Sequence, residues 1–156
     1  MRAAPARRRD RQGGGASLRW QGSRRFRCGV LDVILDGAFH CVKACLPHLK
    51  KNGGSIINVG GMSAHTGSKN RAHVVTAKSG LVGLTRALAQ DLADHKVTVN
   101  LVVPGLIGTP ADRGAAGEPD HHRRNQTLTG ERGKPQDIAS TVRFLCGPGG
   151  RGVRHG

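Results

Sequence analysis

The chain contains no tyrosine. Chemistry that needs a phenolic hydroxyl as acid or base is excluded at once, because no other side chain titrates as a phenol. The large aromatic side chains are scarce altogether, with three Phe and one Trp in 156 residues. That removes the stacking platforms on which single-stranded nucleic acid is bound. No apolar run is long enough to cross a bilayer. The basic N-terminus lacks the apolar core of a secretory signal. Its Arg content and single acid loosely fit a transit peptide, but the run Gly13-Gly14-Gly15 and the lack of amphipathic periodicity speak against one. Cys28, Cys41, Cys45 and Cys146 form no C-x-x-C pair. Cys41, Cys45 and His48 share one face of a predicted helix, which leaves a metal site conceivable. Buried free thiols in a reduced cytosol are the reading favoured here, so no metal is expected and the chain is read as cytoplasmic.

What is abundant is positive charge, 25 Lys and Arg against 10 Asp and Glu. Such an excess suggests a nucleic-acid partner, but its distribution argues otherwise. Residues 1–27 carry a net +8 and residues 149–156 a net +2, while residues 28–148 carry only +5. Over half the excess lies in the two ends, and the body has an ordinary mixed surface.

Residues 1–29 read as a disordered Arg/Gly-rich segment. From Val30 onward Val33, Ile34, Ala38, Val42, Cys45, Leu46 and Leu49 recur at helical spacing, which predicts a helix over 30–51, bent near Gly37. Asn52-Gly53-Gly54 stops it. Ser55-Ile56-Ile57-Asn58-Val59 is a β-branched run, expected to be a buried parallel strand. A small-residue loop follows over 60–69. A second helix over 71–94 places Val75, Leu81, Leu84, Leu88 and Leu92 on its apolar face. Residues 97–103 form a second strand ended by Pro104-Gly105. Residues 106–134 read as a long loop, 135–146 as a last helix with Pro135 in its first turn, and 151–156 as a polar tail. Helix, strand, helix, strand, helix is the order of an α/β parallel sheet.

Four collinear blocks then resemble a known family: GSIINVGGMSA at 54–64, AKSGLVGLTRALAQDLA at 77–93, VTVNLVVPGLIGTP at 97–110 and GKPQDIASTVRFLCGPGG at 133–150. They resemble the C-terminal half of the short-chain dehydrogenase/reductases, and among these the 3-oxoacyl-carrier-protein reductases. The resemblance implies a partial doubly wound, Rossmann-like sheet over 30–150, with the N-terminal nucleotide-binding half missing. It implies NAD or NADP as cofactor and hydride transfer between carbonyl and hydroxyl groups. In the family a tyrosine moves the proton, a lysine lowers its pKa and holds the nicotinamide ribose, a serine orients the carbonyl and an asparagine holds a relay water.

Carried over by position, Lys78 is the lysine. The tyrosine position is Val74, the serine position Gly61 and the asparagine position Ile34. Three of the four roles lack their side chain. Ser63, two residues beyond the serine position, is the candidate substitute; His65 and His73 lie nearby. Pro104, Gly105, Ile107 and Thr109 match the segment that holds the nicotinamide carboxamide. The Gly-rich turn that cradles a pyrophosphate has no counterpart, since Gly13-Gly14-Gly15 follows no strand. Cofactor binding by this chain is therefore doubtful, and the chain reads as truncated and inactive. The alternative is a non-catalytic protein. The family commonly pairs through the helices at 30–51 and 71–94, so a homo-oligomer or a related partner is expected there, with no nucleic acid and no membrane.

Overall fold

The structure, a computed structural model, describes residues 24–108, 127 and 130–147, with side chains from residue 28. Helix α1 spans Arg24–Leu31 and runs through a π turn at Asp32–Asp36 into α2, Gly37–Asn52. Strand β1 is Gly54–Val59, a single-turn helix α3 is Ser63–Thr66, and α4 is Ala72–Asp91. A 3₁₀ turn at Ala93–His95 leads into β2, Val97–Val102, and α5 is Pro135–Cys146.

The two strands pair in parallel, from Gly54 beside Val97 to Val59 beside Val102. Alternation along each strand sorts the side chains onto two faces. Ile56 and Asn58 share one face with Val97, Val99 and Leu101; Ser55, Ile57 and Val59 share the other with Thr98, Asn100 and Val102. The first face meets α2 and α4, where Leu46, Leu49, Leu88, Ala89 and Leu92 pack on Ile56, Val97 and Val99. Helix α5 lies against both strands from the other side. The architecture is thus α/β, a small parallel sheet wound with helices on both faces, as the order of elements predicts.

Several expectations need correction. Residues 24–29, assigned to the disordered segment, are helical. Once α2 exists, each added residue contributes a hydrogen bond without a new nucleus, and α1 packs on α4, so an Arg-rich composition does not stop the helix. The rest of that segment, 1–23, and the 151–156 tail lie outside the described residues. The predicted bend near Gly37 is a π turn, in which the Gly37 N–H reaches back five residues to the Asp32 carbonyl. The extra residue rotates the apolar stripe, and Val33, placed on that stripe, is 75% exposed. The 60–69 loop contains α3, and Leu106–Gly108 bridges to Gly133 inside the predicted 106–134 loop. The four cysteines are exposed rather than buried. On α2 the inward side carries Val42, Leu46 and Leu49, which leaves Cys41 and Cys45 to solvent.

The core is also lined differently. Leu81 on α4 and Leu92 just after it are buried as expected, but so are Ala77, Thr85 and Ala89. Small side chains let α4 lie close on the sheet. Thr85 is buried without penalty because its hydroxyl donates to the Leu81 carbonyl at 2.7 Å and accepts from Asn58 Nδ2 at 2.9 Å.

Candidate functional site at the carboxyl ends of the strands

In an open parallel sheet, ligands bind beyond the carboxyl ends of the strands. Here the two loops leaving β1 and β2 are joined. The Gly60 N–H donates to the Val102 carbonyl at 2.8 Å and the Met62 N–H to the Pro104 carbonyl at 3.1 Å. Helix α4 is tied to the same place by two side chains in adjacent positions. Lys78 Nζ donates to the Val59 carbonyl, the last of β1, at 2.9 Å. Ser79 Oγ donates to the Ala64 carbonyl in α3 at 3.3 Å.

Lys78 is half-buried, and burial pushes its ammonium down from the ordinary 10.5. Val74 stands one turn before it on α4 and is also half-buried. Their i, i+4 spacing puts them on one helix face. An apolar side chain therefore occupies the place from which a proton donor would be paired with the lysine. Gly61 leaves room for a serine, since a Cβ there would meet nothing nearer than Ser63 Oγ at 4.0 Å. The structure thus brings Ser63 close to the serine position, at the first residue of α3. His65 is exposed and His73 half-buried. Ile34, at the asparagine position, sits in the π turn and is half-buried.

Of the carboxamide-side residues, Pro104 is half-buried and Gly105 exposed, both just past β2. Ile107 is held by the bridge to Gly133, in which the Gly133 N–H donates to the Leu106 carbonyl and the Gly108 N–H to the Gly133 carbonyl. The bridge's two hydrogen bonds use the Leu106 carbonyl and the Gly108 N–H and not the Ile107 N–H. Thr109 lies outside the described residues. Among the described residues no strand precedes β1. Cys41, Cys45 and His48 are exposed on α2, and among the described residues no three His, Cys, Asp or Glu are grouped to hold a metal.

Two features of the site escaped the sequence reading. The Val59 carbonyl, partner of Lys78, is a backbone group and carries no residue-type signal. Asn58 does have one, as an amide inside a β-branched run, and that signal points to a buried polar contact.

Residues 23–154 match the family model described as enoyl-(acyl carrier protein) reductase. The 3-oxoacyl-[acyl-carrier-protein] reductase FabG of Staphylococcus aureus is 34% identical over 118 residues, which are 75% of this chain and 48% of the relative. The Vibrio cholerae FabG is 36% identical over 120 residues, covering 76% of this chain and 49% of its own. Among solved structures, a 3-oxoacyl-[acyl-carrier protein] reductase from Brucella melitensis superposes with TM-score 0.78 at 28% identity, covering 86% of this chain and 51% of that one. A 3-ketoacyl-(acyl-carrier-protein) reductase from the same organism, complexed with NADH, gives TM-score 0.74 at 26% identity, covering 84% of this chain and 54% of that one. The chain spans about half the length of the curated relatives it matches. Sequence, fold and the loop cluster around Lys78 agree: the chain belongs to the short-chain dehydrogenase/reductase family and resembles its 3-oxoacyl-carrier-protein reductases.

Proposed function

We propose that this chain derives from an NAD(P)-dependent carbonyl reductase and does not itself carry out hydride transfer. The observation that carries the reading is Val74 beside Lys78 in a chain without tyrosine. Family chemistry needs a positioned acid to protonate the substrate oxygen as hydride arrives. Valine cannot supply it, Gly61 cannot orient the carbonyl, and Ile34 cannot hold a relay water. Ser63 is the remaining hydroxyl near the serine position. The cofactor would meet Lys78, Pro104, Gly105, the Ile107 N–H and Thr109 at its nicotinamide end, few contacts for a whole dinucleotide.

A second reading is supported by Val33, 75% exposed, and Phe39, 48% exposed, on the α1–α2 rod. Large apolar side chains left in solvent suit a covered surface, so the chain pairs through α1–α2 and α4 with a copy of itself or a related reductase.

One sample tests both. Calorimetric titration with NADH and NADPH is expected to give no heat of binding, and a ketone substrate no turnover. A low-micromolar Kd, about −8 kcal/mol, with turnover would overturn the first reading. Sedimentation of the same sample as a monomer at all accessible concentrations would overturn self-pairing.

A further inference from the structure

Helix α2 ends on Asn52, and of the five asparagines in the chain only this one precedes a glycine. In Asn-Gly the next backbone nitrogen reaches the side-chain carbonyl most easily, because no Cβ stands in its way. Gly53 is fixed as glycine: its φ is +69°, and a Cβ there would stand 3.1 Å from the Lys96 carbonyl oxygen. The folded chain holds the two groups apart. The Gly53 N–H donates to the Leu49 carbonyl at 2.8 Å. Asn52 Nδ2 donates to the His48 carbonyl at 3.1 Å and lies 3.2 Å from His48 Nδ1. Side chains on a helix lean toward its N-terminus, so the Asn52 amide is drawn back over α2, away from the Gly53 nitrogen. Asn52 is exposed, at a helix end, where local opening costs least.

We propose that Asn52–Gly53 is a self-modification site, closed while the last turn of α2 is formed and deamidating when that turn opens. The Gly53 nitrogen gives up its proton and attacks Asn52 Cγ. The Cγ–Nδ2 bond breaks, and the nitrogen leaves with that proton as ammonia, closing a succinimide ring. Water then adds to one of the two ring carbonyls. Opening at Cγ gives aspartate in the normal chain, and opening at the main-chain carbonyl gives isoaspartate, whose chain runs through Cγ. Water enters, ammonia leaves, and no electrons are gained or lost. The product sets a carboxylate at the negative end of the α2 dipole and lacks the Nδ2 donor to the His48 carbonyl. The iso-linked form also lengthens the main chain between α2 and β1. Each change weakens the end of α2, so an opening event is recorded covalently. The inference needs no cofactor and stands or falls independently of the oxidoreductase reading.

The test incubates the full chain in mildly alkaline buffer, folded and in guanidinium chloride, and locates the conversion of amide to acid by peptide mass spectrometry. In guanidinium chloride Asn52 should convert first among the five asparagines. In the folded chain it should convert at least about tenfold more slowly, since only the locally opened fraction reacts. Amide hydrogen exchange at Gly53 measures that fraction independently, and the folded rate should equal the denatured rate multiplied by it. Asn52→Gln, which would have to close a larger ring, should lose the modification and leave the other asparagines as they are. Equal rates in the folded and denatured chain, a folded rate out of proportion to the opened fraction, or another asparagine converting first in guanidinium chloride would each overturn the proposal.

Discussion

The two faces of the small sheet are built to different standards. On the α2/α4 face, Ala77, Leu81, Thr85 and Ala89 of α4 and Leu92 just after it are buried, and the polar pair Asn58–Thr85 is hydrogen-bonded. On the α5 face the covering helix buries no residue fully, and Phe144 is 55% exposed. There the Asn100 amide is buried, 6% exposed, with Nδ2 lacking a hydrogen-bond partner among the described residues. The difference teaches where cohesion resides. Helix α4 is the crossover between two paired strands, so its contacts close along with the sheet. Helix α5 arrives after a long connection and covers the second face with only Ile138, Val142 and Leu145 half-buried.

The comparison breaks most visibly if equal truncations are made on both faces. Leu81→Ala, on the close-packed side, should cost about 2–5 kcal/mol. Leu145→Ala, on the α5 side, should cost about 1 kcal/mol or less, because less apolar surface leaves water there. Urea midpoints at matched slope read the difference. Equal losses would mean that α5 is packed as firmly as α4.

Two asparagines sharpen the same contrast with one residue type. Asn58→Ala removes the donor to Thr85 and should destabilise by about 1 kcal/mol. Asn100→Leu removes a buried donor that has no partner, so it should be neutral or stabilising by about 1 kcal/mol. Thermal melts of the two variants should move in opposite directions. A comparable loss in both would show that Asn100 is satisfied in solution.

The smallest effect concerns the site at the carboxyl ends of the strands. Burial lowers the Lys78 pKa in the folded chain below 10.5. Between that lowered value and 10.5 the unfolded chain binds more protons at this residue, so its contribution to stability rises with pH through that window. Lys78→Met also loses the bond to the Val59 carbonyl, but that loss is offset from the pH slope. The difference in urea midpoint between parent and variant should therefore shift in the parent's favour from about pH 7 to about pH 10. A flat difference would show that the amine is fully solvated.

The site was only partly readable in the sequence. Lys78, Val74, Gly61 and Ile34 were located by spacing within four blocks, and spacing is a property of consecutive residues. The π turn that carries Ile34 was expected only as a bend, because periodicity does not distinguish a rotated stripe from a kinked one. The exposed cysteines were misplaced for a related reason. A thiol's preference for burial is an average, and α2 turns the side with Val42 toward the core instead.

By itself the sequence determined the element types and most of their bounds, the α/β order and the absence of any phenolic acid. These depend on local hydrogen bonding, on side-chain period and on composition, all contained in neighbouring residues. Only the tertiary structure decided which positions are buried. Whether Ala77 or Leu84 lies deepest depends on how closely α4 approaches strands that arrive from elsewhere in the chain. The same holds for Lys78: its place was readable, but its partner is a backbone carbonyl nineteen residues away, and the packing that desolvates it exists only once the two strands and α4 have closed on one another.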